Sequence, residues 1–186
     1  MDHCGRGEGK VNNSVVKRCM AHSSLSNLQT NQVMKPTYIK ETKIALQLAK
    51  QYHDGQLRAV GTDMGKPYFD THILRVTNAV SYRARAAAAL HDILEDTVMS
   101  SHELAYVVGL RQDTIEAVDL LTQGEDESYH NYIMRIHSAE GEAGNIAREV
   151  KIADLMDNFS TFPEGQLVTK YLGALHLLTE PYRAKL

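Results

Sequence analysis

The sequence predicts an all-α protein, a compact bundle of about six to eight helices that follows an N-terminal extension. Apolar residues recur at helical spacing in successive segments after Pro36. No segment alternates apolar and polar residues as a half-buried strand does. Four consecutive alanines, Ala86 to Ala89, indicate a place where neighbouring helices approach closely. Together these patterns predict helices packed on helices.

Residues 1–34 are rich in Gly, Ser, Asn and Gln, and their apolar residues follow no period. This composition predicts a disordered extension, with a targeting leader as the alternative. The domain is then expected to span residues 35–186. Both cysteines, Cys4 and Cys19, lie in the extension, where they cannot cross-link the domain, so a reducing cytoplasm is the expected location.

Charge excludes two classes of partner. The chain has 20 Lys and Arg against 23 Asp and Glu, a net charge of -3, which predicts neither a nucleic-acid nor a membrane partner. No apolar run reaches the ~18 residues that span a bilayer. A small anionic substrate needs only a local basic cluster and stays open, while the oligomeric state leaves no mark in the sequence.

The first predicted helices are separated by a loop. The helix after Pro36 has an apolar stripe and ends before Gly55; the stripe comprises Ile44, Ala45, Leu48, Ala49 and Tyr52. Residues 54–66 contain three glycines and predict a loop. Pro67 begins the second helix. Its buried stripe is expected to comprise Phe69, Ile73, Val76 and Val80.

A third helix is predicted over residues 83–96. Ser100 and Glu103 form a capping-box pattern for the next helix, which Gly109 is expected to end. Four further helices are predicted over residues 113–121, 128–137, 142–157 and 165–178.

The segment AALHDILEDT carries a dense ionisable cluster. In one continuous helix His91 stacks over Glu95, and Asp92 stacks over Asp96. If this turn is buried, its three carboxylates need a cation to neutralise them. The alternative is a solvated helix end with His91 as an ordinary histidine.

A second carboxylate lies beside an apolar helical face in VKIADLMDN. Asp154 follows Val150 by one helical turn and precedes Asn158 by another. A carboxylate in this position needs a partner, and a metal ion would serve. An ion pair with Lys151, three residues earlier, is the alternative.

His72, in KPYFDTHILRV, borders the buried stripe of the second helix. It is either a metal ligand or a core histidine that forms a hydrogen bond with a backbone carbonyl. Taken together, His72, His91, Asp92 and Asp154 form a mixed nitrogen and oxygen ligand set. Such a set suits manganese, iron or zinc better than magnesium or calcium.

These segments, together with HDGQLR at residues 53–58, resemble the HD-domain metal phosphohydrolases over roughly residues 37–178. Within that superfamily they resemble the (p)ppGpp hydrolase domains of RelA/SpoT proteins and the small stand-alone alarmone hydrolases. The HDILEDT segment is the most specific part of the likeness, because the alarmone hydrolases share the Glu-Asp pair that most HD phosphohydrolases lack.

The resemblance implies a fold, an activity and residue roles. The positions of His72, His91, Asp92 and Asp154 would hold the metal, usually Mn²⁺. Those of Glu95 and Asp96 would serve the hydrolytic water as an acid/base pair. Substrate contact or site support is implied for the positions of Arg58, Lys151 and Asn158. The implied reaction removes the 3′-pyrophosphate from a guanosine polyphosphate, and no synthetase-like segment follows, so a purely degradative role is expected.

The sequence departs from this family in four places. The loop after Arg58 is longer, Ala59 replaces a basic residue, Ile73 replaces a proline and Asp157 replaces a histidine. None removes a ligand. Two other functions stay open: an HD nucleotidase or phosphatase acting on a nucleoside monophosphate or a phosphorylated dinucleotide cofactor, and a non-catalytic HD regulatory module.

Overall fold

The computed structural model describes residues 36–161 and 166–180 of the chain. The predicted extension, residues 1–34, lies outside the described residues together with Cys4 and Cys19. The division between an extension and a domain beginning at residue 35 therefore stays a prediction.

The described residues are helical, as the sequence predicts. In chain order the elements are α1 (Pro36–Tyr52), a π-helical turn (Phe69–Ile73), α2 (Leu74–Ala79), α3 (Arg85–Leu90), α4 (Ile93–Asp96), α5 (Ser101–Ala105), α6 (Gln112–Leu121), α7 (Tyr129–Ser138), α8 (Gly141–Thr161) and α9 (Gln166–Thr179). When the π-helical turn is counted with α2, and α3 with α4, the described chain contains eight helical segments. Its extended pairing is limited to an isolated bridge between Leu57 and Pro67. The all-α prediction is confirmed.

The alanine run places α3 at the centre of the bundle. Ala86, Ala87, Ala88 and Ala89 are all buried, and α3 packs most extensively against α1. Side chains of one carbon let the two helix backbones approach closely. Leu90 and Ile93 extend this core toward the next helix.

The longest helix, α8, packs against α6, α7 and α9 and also reaches α2 and α3. Its buried face includes Ile146, Ala147 and Val150, which follow the predicted helical spacing. Since α8 contacts so many neighbours, its middle turns lie inside the bundle, and Asp154 is 4% exposed there.

The helix predicted over residues 83–96 is interrupted. α3 ends at Leu90, and Asp92 adopts φ −103° and ψ 0°, outside the helical region. The continuous stacking of His91 over Glu95 was therefore the wrong expectation. Helical spacing alone did not reveal this break.

The capping box is confirmed, but the end of its helix lies earlier than predicted. The Ser100 side chain accepts from the Glu103 amide, and Glu103 accepts from the Ser100 amide. α5 then ends at Ala105, four residues before Gly109. Gly109 adopts φ +99°, a backbone conformation that residues with a Cβ rarely adopt, and this favours glycine there.

Residues 54–66 form the predicted loop. Two backbone bonds close it, from the Arg58 amide to the Lys66 carbonyl and from the Gly65 amide to the Arg58 carbonyl, each 2.9 Å long. The Thr62 amide also donates to the carbonyl of Thr161 at 3.1 Å, which attaches the loop to the end of α8. Across residues 36–161 and 166–180, no helix has both the length and the apolarity needed to cross a bilayer.

Candidate metal centre

The structure brings the four predicted ligands together from three separate segments. His72 lies on the π-helical turn, His91 and Asp92 lie between α3 and α4, and Asp154 lies on α8. The Nε2 atoms of the two histidines are 3.2 Å apart. Asp92 Oδ2 is 3.0 Å from His91 Nε2, and Asp154 Oδ1 is 3.3 Å from His72 Nε2. Four donor groups thus face one point.

His72 owes its position to the π-helical turn. In that turn the Leu74 amide donates to the Phe69 carbonyl, five residues back. This wider turn is rare and is found mostly at functional sites. The His72 side chain is 1% exposed, and its Nε2 faces the other candidate ligands. The sequence places His72 at the edge of a stripe but carries no signal for the π geometry.

Second partners orient both imidazole rings. His91 Nδ1 lies 2.8 Å from the Ala88 carbonyl oxygen, which can only accept, so Nδ1 carries the hydrogen. His72 Nδ1 lies 2.7 Å from a carboxylate oxygen of Asp157. When each Nδ1 is the donor, each Nε2 is the atom available to a metal.

Asp154 makes the predicted ion pair with Lys151 through one carboxylate oxygen and turns the other oxygen toward the histidines. Its Oδ2 accepts from Lys151 Nζ at 2.9 Å, which is the ion pair expected as the alternative. Its Oδ1 accepts from Asn158 Nδ2 at 2.7 Å and faces the histidines. Because the two oxygens have different partners, the Lys151 pair does not prevent Asp154 from acting as a ligand.

The electrostatics favour positive charge at this point. Burial opposes the charged form of His72, but hydrogen bonds to Asp154, Asp157 and Asp92 outweigh it and raise the pKa of His72 to about 11. Burial likewise opposes a charged His91, yet the adjacent Asp92 and Asp154 raise its pKa to about 9.

The pKa values of the Asp92 and Asp154 carboxyl groups shift in the opposite direction. Burial raises the pKa of Asp92 and Asp154, but the surrounding cations prevail and hold both well below the usual value. The two carboxylates are therefore ionised in a buried site, where they need a cation close by. A divalent metal ion would meet that need.

The donor set fits such an ion. One nitrogen from each of His72 and His91 and one oxygen from Asp92 lie within 4.8 Å of one another. Asp154 is not part of that tightest group, but its Oδ1 lies 3.3 Å from His72 Nε2 and 3.8 Å from His91 Nε2. Asp154 Oδ1 therefore faces the same point as the two histidine nitrogens, and we count Asp154 among the candidate ligands. Two imidazole nitrogens with two carboxylates suit a manganese, iron or zinc ion.

Tyr68 is a site residue that the sequence analysis missed. Its hydroxyl donates to Asp92 Oδ2 at 2.5 Å. Burial, together with the nearby Asp92 charge, raises the pKa of Tyr68 far above its usual value, so the hydroxyl stays protonated and remains a donor. A signal was available: Tyr68 precedes His72 by four residues, which places both on one helical face.

Glu95 and Asp96 lie at the rim of the centre. Both side chains are open to solvent, whereas Asp92 is half-buried and His91 fully buried. The Glu95 carboxylate accepts from the Gln123 amide. Partial loss of hydration and the Asp92 charge raise the pKa of both groups, while the Gln123 bond acts the other way on Glu95. Burial of this turn therefore holds for His91, whereas Glu95 and Asp96 match the alternative of a solvated helix end.

The three predicted substrate-binding residues form one connected group. An Arg58 guanidinium nitrogen donates to Asn158 Oδ1 and to Thr161 Oγ1, both at 3.1 Å. Asn158 in turn donates to Asp154, which also accepts from Lys151. These contacts support the centre from one side. No substrate contact follows from them.

Two cations near the centre, Lys66 and Arg75, pair with acids. Lys66 Nζ and Arg75 each lie 2.7 Å from Asp63 in the long loop. Arg75 Nε also lies 2.6 Å from Asp157. Asp63, Arg75 and Asp157 thus connect the long loop to His72.

His53, the first residue of HDGQLR, is also buried near the centre. It is 2% exposed, its Nδ1 lies 2.7 Å from Gln56 Oε1, and its ring lies 5.5 Å from the Tyr68 ring. Its Nε2 has no hydrogen-bond partner among the described residues. The Gln56 side chain also donates to the Asp96 carbonyl at 2.7 Å, which joins this motif to α4.

Comparisons with known proteins identify a similar fold. No family model matches the chain, and no curated protein sequence matches it. Among solved structures, one similar chain is described as a metazoan ortholog of SpoT that hydrolyses ppGpp and plays a role in starvation responses. The two are 18% identical with a TM-score of 0.57, over 81% of this chain and 89% of the other. At this identity the likeness shows a shared fold.

Proposed function

We propose that this protein is a metal-dependent phosphohydrolase of the HD type that removes the 3′-pyrophosphate from guanosine polyphosphates. The observation that carries the proposal is the convergence of His72, His91, Asp92 and Asp154 on one point. Two imidazole nitrogens and two ionised carboxylates meet there from three segments of the chain.

These four side chains would hold the metal, for which we propose Mn²⁺. Bound there, a divalent ion supplies Lewis-acid charge stabilisation and lowers the pKa of a water molecule. Tyr68 fixes the Asp92 carboxylate by its hydrogen bond, and Lys151 with Asn158 fixes Asp154. Ligands oriented in this way present their free lone pairs toward one another.

Glu95 is the proposed proton acceptor and Asp96 the proposed partner for the leaving oxygen. Both lie at the solvent-facing rim, where a substrate would enter. Their raised pKa brings proton transfer closer to neutral pH, as general acid/base catalysis requires. The bond from the Gln123 amide holds the Glu95 carboxylate in place.

The choice of substrate rests on two supports. The segment HDILEDT resembles the alarmone hydrolases, and the fold is similar to that of a protein described as hydrolysing ppGpp. Arg58, Lys151 and Asn158 border the centre on one side, where they would contact the nucleotide or support the ligands. We propose a small-molecule nucleotide as the partner and the cytoplasm as the location, with no nucleic acid or membrane involved.

The test is a nucleotide panel. Full-length protein loaded with Mn²⁺ is incubated with guanosine tetraphosphate, nucleoside monophosphates and a phosphorylated dinucleotide cofactor, and released pyrophosphate and orthophosphate are measured separately. We expect water and guanosine tetraphosphate to yield guanosine diphosphate and pyrophosphate. Orthophosphate from the other substrates, without pyrophosphate, would replace the proposed substrate with one of the alternatives.

Matched variants test the ligand set in the same assay. We expect Asp92→Ala and Asp154→Ala to abolish turnover, and Asp119→Asn, an exposed position on α6, to retain it. Full activity in Asp154→Ala would contradict the assigned set. Absence of both Mn²⁺ binding and hydrolysis in the parent protein would favour a non-catalytic module.

A further inference from the structure

A second pocket lies apart from the candidate metal centre. Its volume is about 400 Å³, and within the described chain α1, the π-helical turn and residues just before and within α3 line it. Its apolar surface includes Ile39, Leu46 and Phe69 together with two tyrosines, Tyr38 and Tyr82. Volumes of this order are typical of small-molecule sites. None of its described lining residues is a predicted metal ligand.

Three cations surround this apolar surface. Lys43 and Lys50 lie seven residues apart on α1, which places them on the same helix face, and Arg85 begins α3. The described lining residues include no Asp or Glu. In residues 36–161 and 166–180, no acidic side chain pairs with any of the three. Their charge is therefore uncompensated at the pocket.

Arg85 provides a more specific indication. Its Nε atom is shielded from solvent and has no hydrogen-bond partner in the described structure. A buried N–H without an acceptor is unfavourable, and a charged donor gains most from a charged acceptor. Arg85 also lines the pocket, so an anionic group bound there would pair with its guanidinium.

We infer that this pocket binds a small amphipathic anion. Its aromatic or aliphatic body would pack against Leu46 and Phe69, and its acidic head would pair with Arg85. The exposed Lys43 and Lys50 would add attraction at the rim. A ligand in this pocket would contact the segment that carries His72, because Phe69 begins the same π-helical turn.

The experiment uses two fluorescent probes that differ in charge. 1-Anilinonaphthalene-8-sulfonate carries an acidic group on a two-ring aromatic body, and N-phenyl-1-naphthylamine is its neutral analogue. Each is titrated into the full-length, metal-loaded protein. We expect saturable binding of the sulfonate at one site per chain. The neutral probe should bind at least about tenfold more weakly, because it lacks the charge-assisted bond.

Variants locate the site. Arg85→Met keeps the aliphatic length and should weaken sulfonate binding about tenfold while leaving the neutral probe unchanged. Ile39→Asp places a negative charge at an exposed lining position and should weaken sulfonate binding as well. Lys40→Met is the matched control, since Lys40 is an exposed cation on α1 outside the lining.

Equal sulfonate affinity in the parent, Arg85→Met and Ile39→Asp would overturn the inference, as would equal affinity for the two probes or no saturable binding. Circular dichroism verifies that each variant is folded, since partly folded proteins also bind the sulfonate probe. Should Arg85→Met fail to fold, the double variant Lys43→Met/Lys50→Met at exposed positions takes its place. Undiminished sulfonate affinity in that variant would likewise overturn the inference.

Discussion

The Nδ1 atom of His72 lies 2.7 Å from a carboxylate oxygen of Asp157, and Asp157 also pairs with Arg75 at 2.6 Å. Asp157 therefore orients the imidazole whose Nε2 faces the other ligands. Partners of this kind raise the basicity of a ligating histidine and hold its ring in place. Asp157, which stands where the family that the sequence resembles has a histidine, thus has a defined contact here.

Loss of this carboxylate should weaken metal binding. We expect Asp157→Asn to lower Mn²⁺ affinity by about 10- to 100-fold, because His72 loses a charged partner. Hydrolysis at saturating Mn²⁺ should change much less, since no ligand is removed. Calorimetric titration of the metal-free protein measures the affinity, with Asp119→Asn as the control. An unchanged affinity would show that Asp157 does not orient the ligand.

Glu95 should affect the rate of hydrolysis and leave metal binding intact. We expect Glu95→Gln to reduce the turnover rate by about 10²- to 10⁴-fold, because the amide cannot accept a proton. Mn²⁺ affinity should stay within a few-fold of the parent value, since Glu95 lies at the rim. Steady-state kinetics with metal titration separate the two effects. A variant that loses metal instead would move Glu95 into the ligand set.

Overpacking α3 should destabilise the bundle. Ala88 is fully buried in the core, so Ala88→Leu adds volume where no space is available. We expect the free energy of unfolding to fall by about 1–3 kcal/mol. Ala79→Leu, at the exposed end of α2, should change it little. Urea unfolding followed by circular dichroism compares the two variants. Equal stability would mean that the helices around α3 can separate without cost.

The loop contact through Asp63 should make stability depend on pH. Hydrogen bonds from Lys66 and Arg75 lower the pKa of Asp63 from 3.8 to about 2. Because the folded pKa is lowered, the stabilisation is complete above pH 3.8 and disappears as the pH falls toward about 2. Asp63→Asn should therefore be less stable than the parent at pH 7, and the difference should shrink at pH ~3.

Urea unfolding at several pH values measures this difference. Asp54→Asn is the matched control, because Asp54 lies exposed in the same loop. The difference in the free energy of unfolding between Asp54→Asn and the parent should stay constant in this pH range. A difference for Asp63→Asn that persists unchanged at pH ~3 would exclude an ionic contribution from this contact.

Local sequence patterns predicted the helical architecture and the candidate ligands. Apolar residues at helical spacing predicted α1, α6, α7 and α8, and a capping-box pattern predicted the start of α5. The same spacing placed His72 and Asp154 beside buried faces. These signals are readable because they depend on residues within one or two helical turns of each other.

The assembly of the centre depends on contacts between segments that are distant in the chain. The break at Asp92, the π-helical turn that directs His72 and the Asp157 bond to His72 have no local signature in the sequence. Asp157 and His72 are 85 positions apart in the chain. Contacts at such separations depend on how α8 packs against the segments around it, because that packing brings the two side chains within bonding distance.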